Sequence, residues 1–464
     1  MITKLGEKFT DIFKKNMPDA FVFALILTLL TALIALTWIG TSPIKIIQSW
    51  YDGFWSLLEF GMQMVLLIIT GYCIALSPLV EKGIDKLALY IRTPKQVYFF
   101  VVLLGFLMCM ISWGWLVITA LLGRELALRV KGINYAYLIA CVYFSHIGWV
   151  TGLSSSIPLL LNTEKNYMIE SGILPSTIAT SFTLGSLLNI GMIILFLILG
   201  PIIMLLLVPK NKGKELKDML VSKNAHKMSN IKEEALKMKL PYKAVSDQLN
   251  NSIILQWAIA MMGLVYIIFH FYNNGLDLNL NIMIFVFLIL GLFLHKTPMR
   301  YTISMRRASG NISGILYQFP FYAGIMGIMT FTGLGARLGE AIASTATMET
   351  YPFFAYLLGG IVNFAIPSGG GEYAVIGPSV IEAINNIGTG LSQIELTQMT
   401  SRASLAIAYG EGLTNLLQPF YLLLVLPVMA SGIKIQARDV MGFLVLPFIL
   451  FFILQLAMVT WMPI

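Results

Sequence analysis

Residues 364–376 read FAIPSGGGEYAVI, and residues 109–118 read CMISWGWLVI. Each is a polar, glycine-bearing centre set inside a long apolar stretch, 353–384 in one case and 97–128 in the other. A helix broken at such a centre leaves backbone N–H and C=O groups unpaired. Hydrocarbon cannot satisfy them, so a break at membrane depth is tolerated only against a wet, protein-walled cavity. About forty residues beyond each centre lies a second interrupted apolar stretch, GLSSSIPLLL from Gly152 and GLTNLLQPFYLLL from Gly412. Interruptions at corresponding places in two halves are the sequence pattern of a transporter built from repeats, with its site where the repeats meet.

The rest of the chain agrees. Its 464 residues are 57% hydrophobic and 12% charged, against about 25% charged in a soluble domain, and the mean hydropathy is +0.80. A soluble globular protein is excluded on these figures. Charge-poor runs of membrane length lie near 20–39, 56–79, 179–208, 252–272, 278–294, 311–332 and 440–462, and the broken stretches 135–161 and 403–428 add two more. The run from Phe21 to Ile39 resembles a signal peptide in having Lys14 and Lys15 ahead of it. It is long enough to span, and Trp38, Ile39 and Gly40 make no small-x-small cleavage site. A shift of about 256 residues lays the runs of the first half on those of the second. The expected fold is therefore an all-α polytopic membrane protein of two inverted repeats, with about nine transmembrane helices plus two re-entrant hairpins. The divisions are a first membrane repeat at 1–209, a basic linker at 210–250, a connecting helix at 251–273 and a second, inverted repeat at 274–464.

The net charge of +8 acts mainly as a topology label. Residues 210–247 hold ten Lys against five acids. Between long apolar spans such a run reads as a cytoplasmic loop rather than a nucleic-acid surface. With Lys4, Lys8, Lys14 and Lys15 inside, the first two spans return the chain at Lys82, Lys86, Arg92 and Lys95. Segment 97–128 must then be a hairpin, because Arg124, Arg129 and Lys131 after it also belong inside. The helix 252–272 inverts the second half, Lys434 and Arg438 fall inside, and the C-terminus is external.

Several residues follow as site candidates. Ser112, Trp113 and Gly114 form the first hairpin tip, and Ser368, Gly369, Gly370 and Gly371 form the second. Ser154, Ser155 and Ser156 face them on the first broken helix, and Thr414, Asn415 and Gln418 do so on the second, with Pro158 and Pro419 as breakers. Helix N-termini aimed into the cavity suit a carboxylate, and exposed carbonyls with hydroxyl and amide oxygens suit a small cation such as Na⁺ near the tips. The bland alternative is that Gly and Ser only allow close helix packing. Four clusters in register favour a site. Glu411 and Glu372 lie inside spans, where a carboxyl group is a candidate carrier of a coupling H⁺ or Na⁺. His146 is a further coupling candidate, weighed against a hydrogen-bonded structural histidine.

Absent residues narrow the chemistry. The second hairpin has no Lys or Arg, and the broken helices have only Arg402 at an edge, so the paired cations that a di- or tricarboxylate needs are missing. Phe319, Phe321, Tyr322, Phe364, Tyr409 and Phe420 stand near enough in sequence to line an apolar space. A small monoanion with an apolar end fits best. No HExxH, Walker-type loop or G-x-S-x-G elbow occurs, so an enzyme is not expected. Cys73, Cys109 and Cys141 lack CxxC spacing, and neither a metal site nor a cofactor is expected beyond the coupling ion.

At full length the chain resembles the bacterial short-chain fatty acid transporter family, the acetoacetate and butyrate permeases of the ion-transporter superfamily. The resemblance runs through MPDAFVFALILTLLTALIAL (17–36), DGFWSLLEFGMQMVLLIITG (52–71), LHKTPM (294–299), QFPFYAGI (318–325), NFAIPSGGGEYAVIGP (363–378) and AIAYGEGLTNLLQPF (406–420). It implies carriage of short-chain monocarboxylates across the bacterial cytoplasmic membrane, with two re-entrant hairpins, an elevator-like motion and a homodimer. It carries Ser368 to Gly371, Glu411, Asn415, Gln418 and Pro419 over as matched positions. Glu372 and Tyr373 depart from the His or Gln and Trp that often follow the glycine triplet in that family.

Overall fold

The computed structural model describes Lys15 and residues 18–464, except 57, 112, 154, 163–165, 171, 211–212, 221–230, 241, 243 and 276–279. The described residues are helical throughout, with no strand. In the first half the main helices are α1 (Ala20–Ile34), α2 (Pro43–Ser56), α3 (Leu58–Ala75), α4 (Pro78–Tyr90), α5 (Pro94–Ile111), α6 (Leu116–Arg129), α7 (Tyr135–Ser145), α8 (Ser156–Asn162) and α9 (Leu187–Ile194). A single helix, α10 (Ile253–Asn274), follows the basic linker. Then come α11 (Leu280–His295), α12 (Pro298–Ala308), α13 (Ser313–Phe331), α14 (Leu334–Ala343), α15 (Tyr351–Val362), α16 (Gly369–Ile387), α17 (Gln393–Thr414), α18 (Leu422–Met429) and α19 (Val445–Trp461).

Six helical runs are long and apolar enough to cross a bilayer, at 21–39, 94–111, 135–162, 187–206, 253–274 and 437–461. A seventh is the run 393–417 with 422–429, bent by 44° at its break. The protein is thus an all-α polytopic membrane protein, with six to seven such runs among the described residues. Asn281–His295 of α11 is a shorter apolar helix, and it begins just after residues 276–279. Conversely, α5 is long and apolar enough to span by itself, where the charge pattern makes it one arm of a hairpin.

Two kinds of helix differ in what surrounds them. Helix α10, capped by Ser252, leaves Ile254, Met262, Phe269 and Tyr272 exposed, as lipid-facing side chains are. Its Gly263 lets it sit close on Ile289 of α11. Helix α7 is buried on every side, and so is α17 from Ala403 to Thr414, where the sequence ASLAIAYGEGLT is rich in small residues. Those small residues allow backbone to meet backbone. A Cβ on Gly410 would lie 2.1 Å from the carbonyl oxygen of Tyr356, and one on Gly359 would lie 2.4 Å from that of Ile407, so α15 and α17 touch through glycine. Helices α2 and α13 do the same through Gly53 and Gly327.

The arginines beside the broken helices act on helix ends. Arg124 donates from its two terminal nitrogens to the carbonyls of Met429 and Ser431, each at 2.7 Å, and so caps the C-terminus of α18. Arg402 donates to the Val459 carbonyl near the end of α19 at 3.0 Å. A cation is favourable at either place because unpaired carbonyls collect at a helix C-terminus. Glu125 pairs with Arg129 instead of Arg124, at 2.5 Å.

Candidate functional site

All four expected interruptions are breaks in helix. Helix α5 stops at Ile111, a short 3-10 turn covers Trp113–Trp115, and α6 starts at Leu116. Helix α7 runs into a 3-10 turn, His146–Thr151, before α8 begins at Ser156. Helix α15 stops at Val362 and α16 starts at Gly369. Helix α17 ends in a 3-10 turn, Asn415–Leu417, and Pro419 stands in the gap before α18, where a residue without an N–H ends a helix. Pro158 does not break anything: it is the third residue of α8, in the first turn, where its missing N–H costs nothing. The break in that segment precedes it.

The second tip is built by Ser368. Its hydroxyl caps α16 by accepting from the Gly371 N–H at 3.4 Å, and its carbonyl accepts from the Glu372 N–H at 2.7 Å. The N–H groups of Gly369 and Gly370 donate to nothing among the described residues. Gly369 is pressed against the neighbouring breaks. A Cβ there would lie 2.6 Å from Glu411 Oε2, 2.9 Å from Ser156 Oγ and 3.1 Å from the Trp149 ring. Only glycine lets the N-terminus of α16 approach that closely.

Across from this tip three carboxamides meet. Asn363 Nδ2 reaches Asn415 Oδ1 at 2.9 Å, Thr414 Oγ1 at 2.9 Å and the Glu411 carbonyl at 3.0 Å. Gln418 Nε2 donates to Asn415 Oδ1 at 2.9 Å and to the Asn363 carbonyl at 3.1 Å. The Tyr143 hydroxyl serves the carbonyls of Asn415 and Gln418, which the end of α17 leaves open, at 2.7 and 3.0 Å. Tyr421 donates to the Pro367 carbonyl at 2.9 Å.

The first half closes the ring. Leu153 N–H donates to the Met110 carbonyl at 2.7 Å, joining the first tip to the first break. Trp113 meets Tyr421 edge-on at 6.3 Å between ring centroids, and His146 lies 4.5 Å from the same tyrosine ring. Phe420 packs on Phe319, Tyr322 and Tyr421 at 4.9, 4.8 and 5.0 Å. Each interruption therefore touches another, and together they form one buried region.

Within it many polar atoms lack partners. Both carboxylate oxygens of Glu372 and of Glu411, both ring nitrogens of His146, Ser155 Oγ, Asn363 Oδ1, Asn415 Nδ2 and Gln418 Oε1 are buried with no hydrogen bond to a described residue. Buried polar groups are normally satisfied, so such a concentration makes this region the candidate site. No Lys or Arg is among them. Among the described residues His146 has no hydrogen-bond partner, unlike the structural histidine it is weighed against.

Ser112 and Ser154 lie outside the described residues. Trp113, Gly114, Ser155, Ser368, Gly369, Gly370, Gly371, Thr414, Asn415, Gln418, Glu372, Glu411 and His146 all belong to the four breaks or the helix turns beside them. Among the aromatic candidates, Phe319, Tyr322 and Phe420 converge there. Phe321 packs with Phe21 and Phe54 instead, and Tyr409 donates to Asn189 Oδ1 at 2.9 Å. Sequence reading misses Asn363, Tyr143, Trp149 and Tyr421. Asn363 alone had a local signal, a carboxamide at the end of an apolar helix just before the glycine triplet.

A family model described as short chain fatty acid transporter matches residues 1–462. The chain belongs to the short-chain fatty acid transporter family. Two relatives of this transporter, one from Haemophilus influenzae and one from Escherichia coli, are provisionally named short-chain fatty acid transporters. They are 34% identical over 453 residues and 36% identical over 446 residues, with 96% of each chain covered in both cases. A solved structure of Neisseria gonorrhoeae MtrF, described as illuminating a class of antimetabolite efflux pumps, aligns with 98% of the transporter and 97% of its own chain at 15% identity, with a TM-score of 0.43. The interrupted helices are therefore those of a multi-pass membrane transporter, and not of an enzyme.

Proposed function

We propose that the protein is a secondary active transporter that carries short-chain fatty acid anions, such as acetoacetate or butyrate, across the bacterial cytoplasmic membrane together with H⁺ or Na⁺. The observation that carries this reading is the placement of Glu411 against the N-terminus of α16. That helix end, with the free N–H groups of Gly369 and Gly370, suits the substrate carboxylate. A second negative charge beside Glu411, and near Glu372, in a buried space without Lys or Arg is too costly unless a proton or cation enters too. The site thus links substrate to coupling ion by charge balance. The ring of Trp113, Trp149, Phe420 and Tyr421 supplies an apolar wall for a short tail.

The wider plan fits the same reading. The helix order of residues 20–206 recurs in residues 280–461, with helix–break–helix units at 94–129 and 351–387. We take these as two inverted repeats, each with a re-entrant hairpin, joined through the basic linker and α10. In this arrangement the N-terminus is cytoplasmic and the C-terminus external, and a homodimer moves its substrate by an elevator-like step. Basic residues from separate regions, Lys82, Lys232, Lys296 and Arg300, share one face, as the positive-inside pattern requires.

Purified protein in sealed vesicles tests the function. Labelled butyrate or acetoacetate should accumulate when an inward proton or Na⁺ gradient is imposed and should equilibrate without one. Gradient-independent flux, or saturation-free single-channel currents, would replace the carrier with an anion channel. Accumulation of another small organic anion in preference to these acids would change the substrate and leave the architecture standing.

A further inference from the structure

Away from the ring, a cavity of about 440 Å³ opens between the start of α4, the short helix Ile231–Lys237 of the basic linker, and the junction of α11 with α12. Four cations line it, Lys82, Lys232, Lys296 and Arg300, and none of its lining residues is acidic. They come from three separate stretches of chain, so the fold and not local sequence brings them together. Lys82, Lys296 and Arg300 form no ion pair with a described residue. Nearby Arg307 is different, since it pairs with Glu234. Lys82, Lys296 and Arg300 repel one another across the cavity, and an anion between them removes that cost.

His295 lines the same cavity, is 2% exposed, and donates from Nε2 to the Cys73 carbonyl at 2.8 Å. With its proton on Nε2 it offers no donor to a phosphate oxygen, so the cations carry the site. The cavity also has an apolar side, with Phe293, Leu294 and the exposed Leu79.

We propose that this cavity binds a phosphate group, either the headgroup of an anionic phospholipid or a soluble phosphate compound. The Arg300 guanidinium supplies the fork that phosphate oxygens favour, and the lysines supply point charges. A basic pocket between membrane helices on the cytoplasmic face is a common setting for a phospholipid headgroup, and the apolar side suits its glycerol and acyl carbons. The proposal is independent of the substrate and coupling ion assigned above.

The experiment uses the full-length protein in detergent, examined by native mass spectrometry with cardiolipin, phosphatidylglycerol or phosphatidylcholine added, and by thermal unfolding with and without pyrophosphate. Wild type should retain one anionic lipid under activation that strips phosphatidylcholine. Lys296→Gln with Arg300→Gln, and separately Lys82→Gln on another helix, should weaken retention about tenfold, while Lys434→Gln with Arg438→Gln should not. Variants are compared only where unliganded unfolding temperature and elution volume match wild type, and Lys82→Gln covers the case in which the α12 pair fails to fold. Stabilisation by pyrophosphate that the same substitutions remove, without lipid retention, assigns the site to a soluble phosphate. Equal retention and equal pyrophosphate response in wild type and cavity variants overturns the proposal, as does equal loss in the Lys434 and Arg438 control.

Discussion

The two halves of the molecule use one plan and load it differently. At 351–387 and 393–429 the breaks carry two carboxyl groups, three carboxamides, a glycine triplet and Tyr421, which ties one break to the Pro367 carbonyl of the other. At 94–129 and 135–162 they carry tryptophans, a histidine and a few hydroxyls. On the proposed reading the second half holds the groups that meet charge, and the first adds Trp113 and Trp149 to the wall. A duplicated scaffold can therefore divide labour, because each helix break exposes backbone but only side chains decide what meets it.

That division can be broken at four places. The largest effect should come from Glu411→Gln. In gradient-driven vesicles, accumulation should fall to equilibration and its pH dependence should disappear if protons are the coupling ion; pH dependence that survives transfers coupling to Na⁺ or to Glu372. Next is Gly369→Ala, whose new Cβ meets Glu411 Oε2 at 2.6 Å. Overpacking of about 1–3 kcal/mol should slow uptake roughly ten- to a hundredfold, while Gly370→Ala, whose Cβ would find its nearest neighbour at 3.7 Å, should transport nearly as wild type does. Equal losses in the pair would dissolve the role given to the close approach.

Third come Ser368→Ala, Asn363→Ala and Asn415→Ala. Each removes a buried hydrogen-bonding group worth about 1–3 kcal/mol, and uptake should drop about tenfold or more with normal expression. Wild-type uptake by Ser368→Ala and Asn415→Ala would remove the site from the second half. The smallest effect belongs to the first half. Ser155→Ala and Trp113→Phe should change KM a few-fold with little change in the rate at saturation, and the Trp113 change should depend on acid chain length. A loss as deep as that of Asn415→Ala would make the two halves chemically equal.

Much of this was legible in the sequence because composition and interruption are local signals. A run of apolar residues closing on SGGG or SWGW marks its own break, and Pro419 marks its own gap. What was not legible is which side chains reach across. Tyr143 lies more than 270 residues from the carbonyls it serves, and nothing around it distinguishes it from any other tyrosine of a buried helix. Pro158 misleads because proline ends one helix and begins another, and only the position of the first turn tells these apart.

The glycine contact between α15 and α17 has a mechanical consequence. Because Gly359 and Gly410 bring main chain against main chain, neither helix can slide past the other by even a fraction of a turn without a carbonyl blocking it. The two behave as a single strut, with the break at 363–368 hung from one member and that at 415–421 from the other. If the proposed transport step moves this strut, the carboxamides of Asn363, Asn415 and Gln418 move as one unit, and the flexing falls on the joints around it.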